Sequence, residues 1–417
     1  MTPPLLRRVA PADVRRRVAP GMDVATMHAA AGIVADVRER GEAALLEHAV
    51  RLGDWTPGTP WLFEKPVLVA ALDAFDPESR RLLTQAANRI RAFAASQRDA
   101  LNNIDVAVDG GRAGHTVFPM ERAGCYAPAG RFPLVSSLLM TAVTARAAGV
   151  REVWIATPRP GPMMLAAAAI AGADGVIGIG GAQAIAALAY GAGPVPPCDI
   201  VAGPGNRWVT AAKKCVVGDV AIDFLAGPSE LVVVADAGAD AAIVASDLLA
   251  QAEHDVDALP VLVTDSDALV LRVESELVDQ LATLPAAPTA RAALVNGMVV
   301  LCRDLNEVIA VCDTLAPEHL QLSVAAPAEL AARMHHAGAI FLGEGSAEVF
   351  GDYGLGPNHV LPTGGGARFT GGLSVLTFLR VRSWLDVRDG RSISSDVAAL
   401  ARLEGLEAHA RAAERRR

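Results

Sequence analysis

Apolar residues recur with a helical period along the first hundred positions of the chain. Val34, Val37, Ala44 and Leu45 fall at helical spacing, until Gly53 and the prolines Pro57 and Pro60 break the run. A second helix is predicted over 78–97. Leu82, Leu83, Ala86, Ile90 and Phe93 recur there every three or four residues, and Arg80, Arg81, Arg89 and Arg91 interleave as a solvated face. From Arg122 onward the pattern changes to turn, helix and strand. It predicts a Pro/Gly loop over 126–133, a small-residue helix over 136–148 and a strand over 152–156. A helix over 163–171, a strand over 175–178 and a helix over 182–190 follow.

The alternation continues with a strand over 199–201, a helix over 207–215 and a strand over 231–235. A second set runs through a helix over 241–252, a strand over 260–264, a helix over 268–284 and a strand over 297–301. A helix from Leu305 and a strand over 339–342 complete it. Strands alternating with helices of this length predict parallel α/β layers, here two Rossmann-like units in tandem. The implied division is a helical N-terminal segment (1–110) packing on the second unit, a first α/β domain (111–236), a second (237–380) and a polar helical C-terminal arm (381–417).

Composition narrows the reading. Hydrophobic residues make up 52% of the 417 positions and aromatics only 4%, so the cores must be built from Ala, Val and Leu. A net charge of −9 argues against a nucleic-acid partner. No uninterrupted apolar run reaches the roughly 18 residues of a membrane span, and Met1 to Arg17 has no apolar run behind its charges, so no leader is expected. Cys125, Cys198, Cys215, Cys302 and Cys312 are odd in number and form no CxxC pair, which fits free thiols in a reducing cytoplasm.

The chemistry sits in islands. Gln251-Ala252-Glu253-His254 ends an apolar helical stretch and is expected to put Gln251 and His254 on one face. With Asp352 and His409 these supply nitrogen and oxygen donors suited to zinc, without thiolates. Glu318-His319 follows Pro317, a common helix start. The pair reads either as a carboxylate favouring the helix dipole or as a general acid/base pair. Gly178-Ile179-Gly180-Gly181-Ala182-Gln183 stands between a strand and a helix but lacks the third glycine of a dinucleotide fingerprint. Gly203-Pro204-Gly205-Asn206 offers a second turn, either an anion nest or plain packing. Cys125 beside the glycine loop is a candidate thiol nucleophile with no histidine near it in sequence; the structural reading is favoured.

Read in order, the strings GCYAPAGRFPLVSSLLMTAV, GIGGAQAIAALAYG, AGPGNRWVTAAK, AIDFLAGPSELVVVAD, ASDLLAQAEH, APEHLQL, GAIFLG, FGDYGLGPNHVLPTGGGARF and EGLEAH resemble the histidinol dehydrogenase family, from about Ala30 to His409. The resemblance implies a zinc- and NAD-dependent oxidation of L-histidinol to L-histidine through histidinal, with two NAD used in turn, as the last step of histidine synthesis. Position by position it implies one zinc per subunit on Gln251, His254, Asp352 and His409, and Glu318 and His319 as the acid/base pair. Ser229, His359 and Glu404 would hold substrate together with the metal ligands and His319, while Tyr126, Gln183 and Asn206 would contact NAD. It also implies a homodimer whose C-terminal arm completes the partner's site. On one continuous helix Glu404 and His409 would lie about 140° apart, so they could not share a face.

Ala127 and Ala129 depart from the family's usual loop, and Asp255 follows His254 where a glycine is common. Arg131-Phe132-Pro133 resembles paralogues that oxidise sulfonated diols. A paralogue acting on another small amino alcohol or diol, and a non-catalytic ligand-binding descendant, are the alternatives. The intact acid/base and metal residues speak against the second of these.

Overall fold

The computed structural model describes residues 4–16, 23–129 and 133–416. Gly130, Arg131 and Phe132, part of the loop expected over 126–133 and of the Arg-Phe-Pro string, lie outside the described residues. The chain opens with strand β1 (Arg7–Val9), then α1 (Val24–Arg40), α2 (Glu42–Arg51), β2 (Leu62–Glu64), α3 (Lys65–Asp73) and α4 (Pro77–Asp99). Asp23 and Asp76 start α1 and α4 by accepting from the backbone N–H of Thr26 and Ser79, each at 2.8 Å. Pro77 fills the first position of α4, where its missing N–H costs nothing.

The first α/β unit runs β5 (Arg122–Tyr126), α5 (Val135–Ala148), β6 (Glu152–Ala156), α6 (Pro162–Ala171), β7 (Gly175–Ile177), α7 (Gly181–Tyr190), β8 (Ile200–Ala202), α8 (Arg207–Val216) and β9 (Ala221–Ile222), after a hairpin of β3 (Ile104–Val108) and β4 (Gly111–Pro119). Its sheet has the order β2-β7-β6-β5-β8-β9, parallel except for β2. The chain winds outward from β5 in both directions, which is the doubly wound pattern. β5 was expected as part of a turn. Its Arg-Ala-Gly-Cys-Tyr sequence has neither alternation nor branched residues, yet it is the central strand, buried by its neighbours rather than by its own propensity.

The second unit comprises β10 (Glu230–Ala235), α9 (Ala241–Ala252), β11 (Leu259–Thr264), α10 (Asp267–Leu281), α11 (Ala287–Leu294), β12 (Met298–Leu301), α12 (Leu305–Leu315), β13 (His319–Ser323), α13 (Pro327–Ala331), β14 (Ala339–Leu342) and α14 (Glu348–Asp352). Its sheet, β1-β12-β11-β10-β13-β14, is parallel throughout and repeats the winding of the first. Each unit therefore contributes five strands of its own, and the N-terminal segment adds a sixth to both. Side chains alternate cleanly across this sheet: Leu231, Val233 and Ala235 point into one core, Val232 and Val234 into the other.

Two expectations are corrected. The N-terminal helices pack mainly on the first unit rather than the second, α4 also meeting the later segment around Val360 and Phe378. α1 lies on α7 and α8, α3 on α6 and α4 on α5, so only β1 and its surroundings join the second sheet. Leu68 on α3 and Ile90 on α4 are both essentially fully buried against the first unit, each worth about 1.5–3 kcal/mol of transfer free energy. The chain after Arg380 is not helical from the start. β15 (Leu379–Val387) pairs antiparallel with β4 in a separate three-stranded sheet, β15-β4-β3, before α15 (Ser394–Leu403) and α16 (Glu407–Glu414) form the arm.

Candidate active site

Buried polar groups concentrate at the amino edge of the second sheet. β10 and β13 are parallel neighbours with Leu231 opposite His319, so the pairs Ser229-Glu230 and Glu318-His319 enter the sheet side by side. Ser229 Oγ donates to Glu318 Oε2 at 2.6 Å, and the N–H of Glu230 donates to the same oxygen at 2.9 Å. Burial pushes the Glu318 carboxyl up to about 8, against these two hydrogen bonds, which favour the charged form. His319 Nδ1 lies 3.1 Å from the carbonyl oxygen of Glu230, which can only accept. The neutral ring therefore carries its hydrogen on Nδ1 and its lone pair on Nε2, and Nε2 is buried without a partner among the described residues.

The expectation that Pro317-Glu318 opens a helix is wrong: His319 begins β13. The overlooked signal is the period-2 alternation His-Leu-Gln-Leu-Ser, with Leu320 and Leu322 in the core and the polar residues on the other face.

A helix that follows a parallel strand runs back to the amino edge, and α9 delivers Gln251 there. Gln251 is completely buried, yet among the described residues neither its amide oxygen nor its nitrogen has a hydrogen-bond partner. Such an orphaned amide is costly unless something else satisfies it. α9 ends at Ala252, so His254 sits in the turn beyond the helix and not on one helical face with Gln251. Its Nε2 lies 3.9 Å from Asp352 Oδ2.

Glu348 was not singled out from the sequence. It is 3% exposed, burial pushes its carboxyl up to about 8, and its Oε1 lies 3.4 Å from His319 Nδ1. Glu348, Asp352 and His319 can each bring one donor atom within 4.8 Å of the others. The i, i+4 spacing of Glu348 and Asp352 was visible, but the surrounding glycines and serine disguised α14 as loop.

His359 bridges the two units. Its Nδ1 donates to the Asp352 backbone oxygen at 2.9 Å, and its Nε2 lies 3.2 Å from Ser137 Oγ at the start of α5. Burial lowers its pKa, which favours the neutral ring. His319, Phe341, Asp352 and His359 line a cleft of about 220 Å³.

Glu404 and His409 are not brought to this cluster. Gly405, at φ +79°, breaks the expected single helix, leaving Glu404 as the C-cap of α15 and His409 on α16. Both side chains are exposed, and the arm's buried residues Ala398, Ala401 and Ala410 pack on one another. By donor type alone, Gln251, His254 and Asp352 are nitrogen and oxygen groups that suit a borderline divalent cation.

The dinucleotide candidates lie at the carboxyl edge of the first sheet. Its topological switch falls between β5 and β8, where ligands of open α/β sheets bind. Tyr126 ends β5, and its hydroxyl accepts from the Gly181 N–H at 3.2 Å. Asn206 is exposed and caps α8, accepting from the Trp208 N–H at 3.0 Å. Gln183 is fully buried, and its Nε2 donates to Asp54 Oδ2 at 3.0 Å. The Gly180 N–H donates to the same carboxylate oxygen at 3.2 Å, so an internal anion already caps the start of α7. A phosphate nest at 178–183 would have to compete with it. Cys125 is fully buried and its thiol is pushed up to about 12 by burial, which disqualifies it as a ready nucleophile.

The model of the histidinol dehydrogenase family matches residues 19–417. Histidinol dehydrogenase of Thermus thermophilus is 46% identical over 393 residues, covering 93% of this chain and 93% of that protein. The Bordetella parapertussis enzyme of the same name is 44% identical over 397 residues, covering 93% and 90%. The crystal structure of histidinol dehydrogenase from Elizabethkingia anophelis superposes with a TM-score of 0.93 at 30% identity, covering 100% of this chain and 99% of that one.

Proposed function

The chain belongs to the histidinol dehydrogenase family, and from that premise we propose that it oxidises L-histidinol to L-histidine in two successive NAD-linked steps as the end of histidine synthesis. The observation that carries the reading is the meeting of Glu318 and His319 with Asp352 and its neighbour His254, with the orphaned amide of Gln251 delivered by α9 to the same sheet edge. A zinc ion on Gln251, His254 and Asp352, with His409 of a second subunit, would hold and polarise the substrate's polar groups, and NAD would accept hydride.

The chain's own residues supply the proton chemistry. The neutral His319 ring, its Nδ1–H held by the Glu230 carbonyl, offers Nε2 as the base for the alcohol proton. Glu318, oriented by Ser229 and the Glu230 N–H, activates the water that adds to the aldehyde. The resulting hydrate can release the second hydride while its proton passes to the same pair. Ser229, His359 and, from the partner, Glu404 hold the amino alcohol. Tyr126, Gln183 and Asn206 contact NAD at the switch of the first sheet.

The exposure of Glu404 and His409 supports a homodimer in which the arm completes the second subunit's site. Leu385 and Val387 on β15, and Ile393 and Val397 at α15, are exposed and surround an open groove, apolar surface that a second copy would cover. Among the described residues no helix is long and apolar enough to cross a membrane. The testing experiment incubates purified, zinc-loaded protein with L-histidinol and NAD. NADH and histidine should both form, and neither should form if the reading is wrong.

A further inference from the structure

Gly203, the first residue after β8, has both polar atoms of its backbone held by one buried ion pair. Its N–H donates to Asp223 Oδ2 at 2.7 Å, and its carbonyl accepts from Lys213 Nζ at 3.0 Å. Lys213 on α8 and Asp223 after β9 are themselves paired, with side chains 3% and 0% exposed. The other carboxylate oxygen, Asp223 Oδ1, also accepts from the Phe224 N–H at 2.7 Å.

The residue clamped in this way lies at the topological switch. Gly203 has φ +120°, a conformation that favours glycine, and a Cβ there would collide with the carbonyl oxygen of Tyr126. Gly205 is pressed on Val209 in the same manner, and Asn206 closes the turn as the cap of α8. The turn 203–206 is thus fixed against the end of β5, where the chain presents Tyr126.

Stability alone does not explain the pair. Two buried charges recover their desolvation cost only with good geometry, and apolar residues of like volume often serve the fold as well. An apolar pair could not, however, satisfy the N–H and the C=O of Gly203. Nor is the Lys213 ammonium free to meet a ligand, since it is buried and shared between Asp223 and Gly203.

We propose that Lys213 and Asp223 are positioning residues for the dinucleotide: they preset the turn 203–206 at the switch so that NAD meets it already in place. This rests on the reading of the chain as an NAD-linked enzyme. The hydrogen bonds of both residues go to each other, to Gly203 and to Phe224, and to none of the residues assigned to the amino alcohol or the metal, so the effect should fall on one substrate only.

The test uses the full-length, zinc-loaded enzyme and the variants Lys213→Met, Asp223→Asn and the double exchange Lys213→Met/Asp223→Leu. NADH affinity is measured by fluorescence titration without amino alcohol, KM is measured separately for NAD and histidinol, and melting is followed in parallel. The NADH dissociation constant and KM for NAD should rise on the order of tenfold or more, as expected for misplaced binding groups, while KM for histidinol stays within about twofold. The double exchange should recover melting temperature without recovering NADH affinity; recovery of both would show a merely structural role and overturn the proposal. A folded single variant with wild-type NADH affinity would overturn it too. If the variants do not fold, hydrogen exchange on the wild type decides. Slow exchange at Gly203 before NADH is added supports a preset turn, and fast exchange that slows only with NADH contradicts it. Wild-type protein that binds no NADH removes the functional reading and this inference together, whereas unchanged variants of a binding enzyme remove only the positioning role.

Discussion

His254 Nε2 lies 3.9 Å from Asp352 Oδ2, which joins the turn after α9 to the short helix α14 across the amino edge of the second sheet. That approach, together with the unsatisfied Gln251 amide, is what the proposed zinc assignment rests on.

Metal removal should therefore abolish turnover, and zinc should restore it. His254→Ala should lower bound zinc, measured by atomic emission, together with activity. Cys125→Ser should leave both nearly unchanged, because the thiol is buried and held protonated. Full activity in a metal-free sample would contradict the ligand assignment.

The acid/base pair should divide its labour. Loss of a positioned acid/base group typically costs about 10²–10⁴-fold. Glu318→Gln should impair oxidation of supplied histidinal by such a factor, and His319→Asn should impair alcohol oxidation at least as much. Rapid-mixing rates for each half-reaction, with zinc content checked, provide the measurement. Wild-type aldehyde oxidation by Glu318→Gln would remove its water-activating role.

Stability should depend on pH through the buried carboxyls. Glu318 and Glu348 are raised by burial from 4.5 to about 8. At low pH both the folded and the unfolded chain hold these protons, and the groups make no difference. As pH climbs past 4.5 the unfolded chain ionises first, so stability falls until the folded groups also ionise near 8. Metal-stripped Glu348→Gln should lack part of this loss. Its melting temperature relative to wild type should rise across that window by several degrees, and zinc should narrow the gap by stabilising the wild-type carboxylates. A difference that does not change with pH would contradict the assignment.

The arm should act across subunits. Inactive His319→Ala mixed with inactive His409→Ala should regain part of the activity after subunit exchange, because one of the two sites in a heterodimer then holds both intact residues. Verified heterodimers without activity would place the arm in its own subunit's site.

The sequence made most of the α/β alternation legible because each of those helices and strands carries its own period. Helix 241–252 and strand 339–342 emerge with the same bounds in the structure. What escaped is set by neighbours. β5 has no pattern of its own, β1 and β2 are short strands recruited to the edges of distant sheets, and β15 finds its partner in β4 more than 250 residues earlier. At the site, Gln251, His254 and Asp352 were named from their donor atoms and from the family resemblance. Glu348 was missed because a buried carboxyl is recognisable only once His319 is seen beside it. The side of the fold taken by the N-terminal helices was misjudged for a similar reason: an amphipathic face declares that it will be buried, not against which sheet.

The most direct test counts reducing equivalents. Purified zinc-loaded protein given limiting L-histidinol and excess NAD should yield two NADH for each histidine formed, with no histidinal accumulating. One NADH per substrate with free aldehyde as product, or no NADH from histidinol at all, would contradict the account.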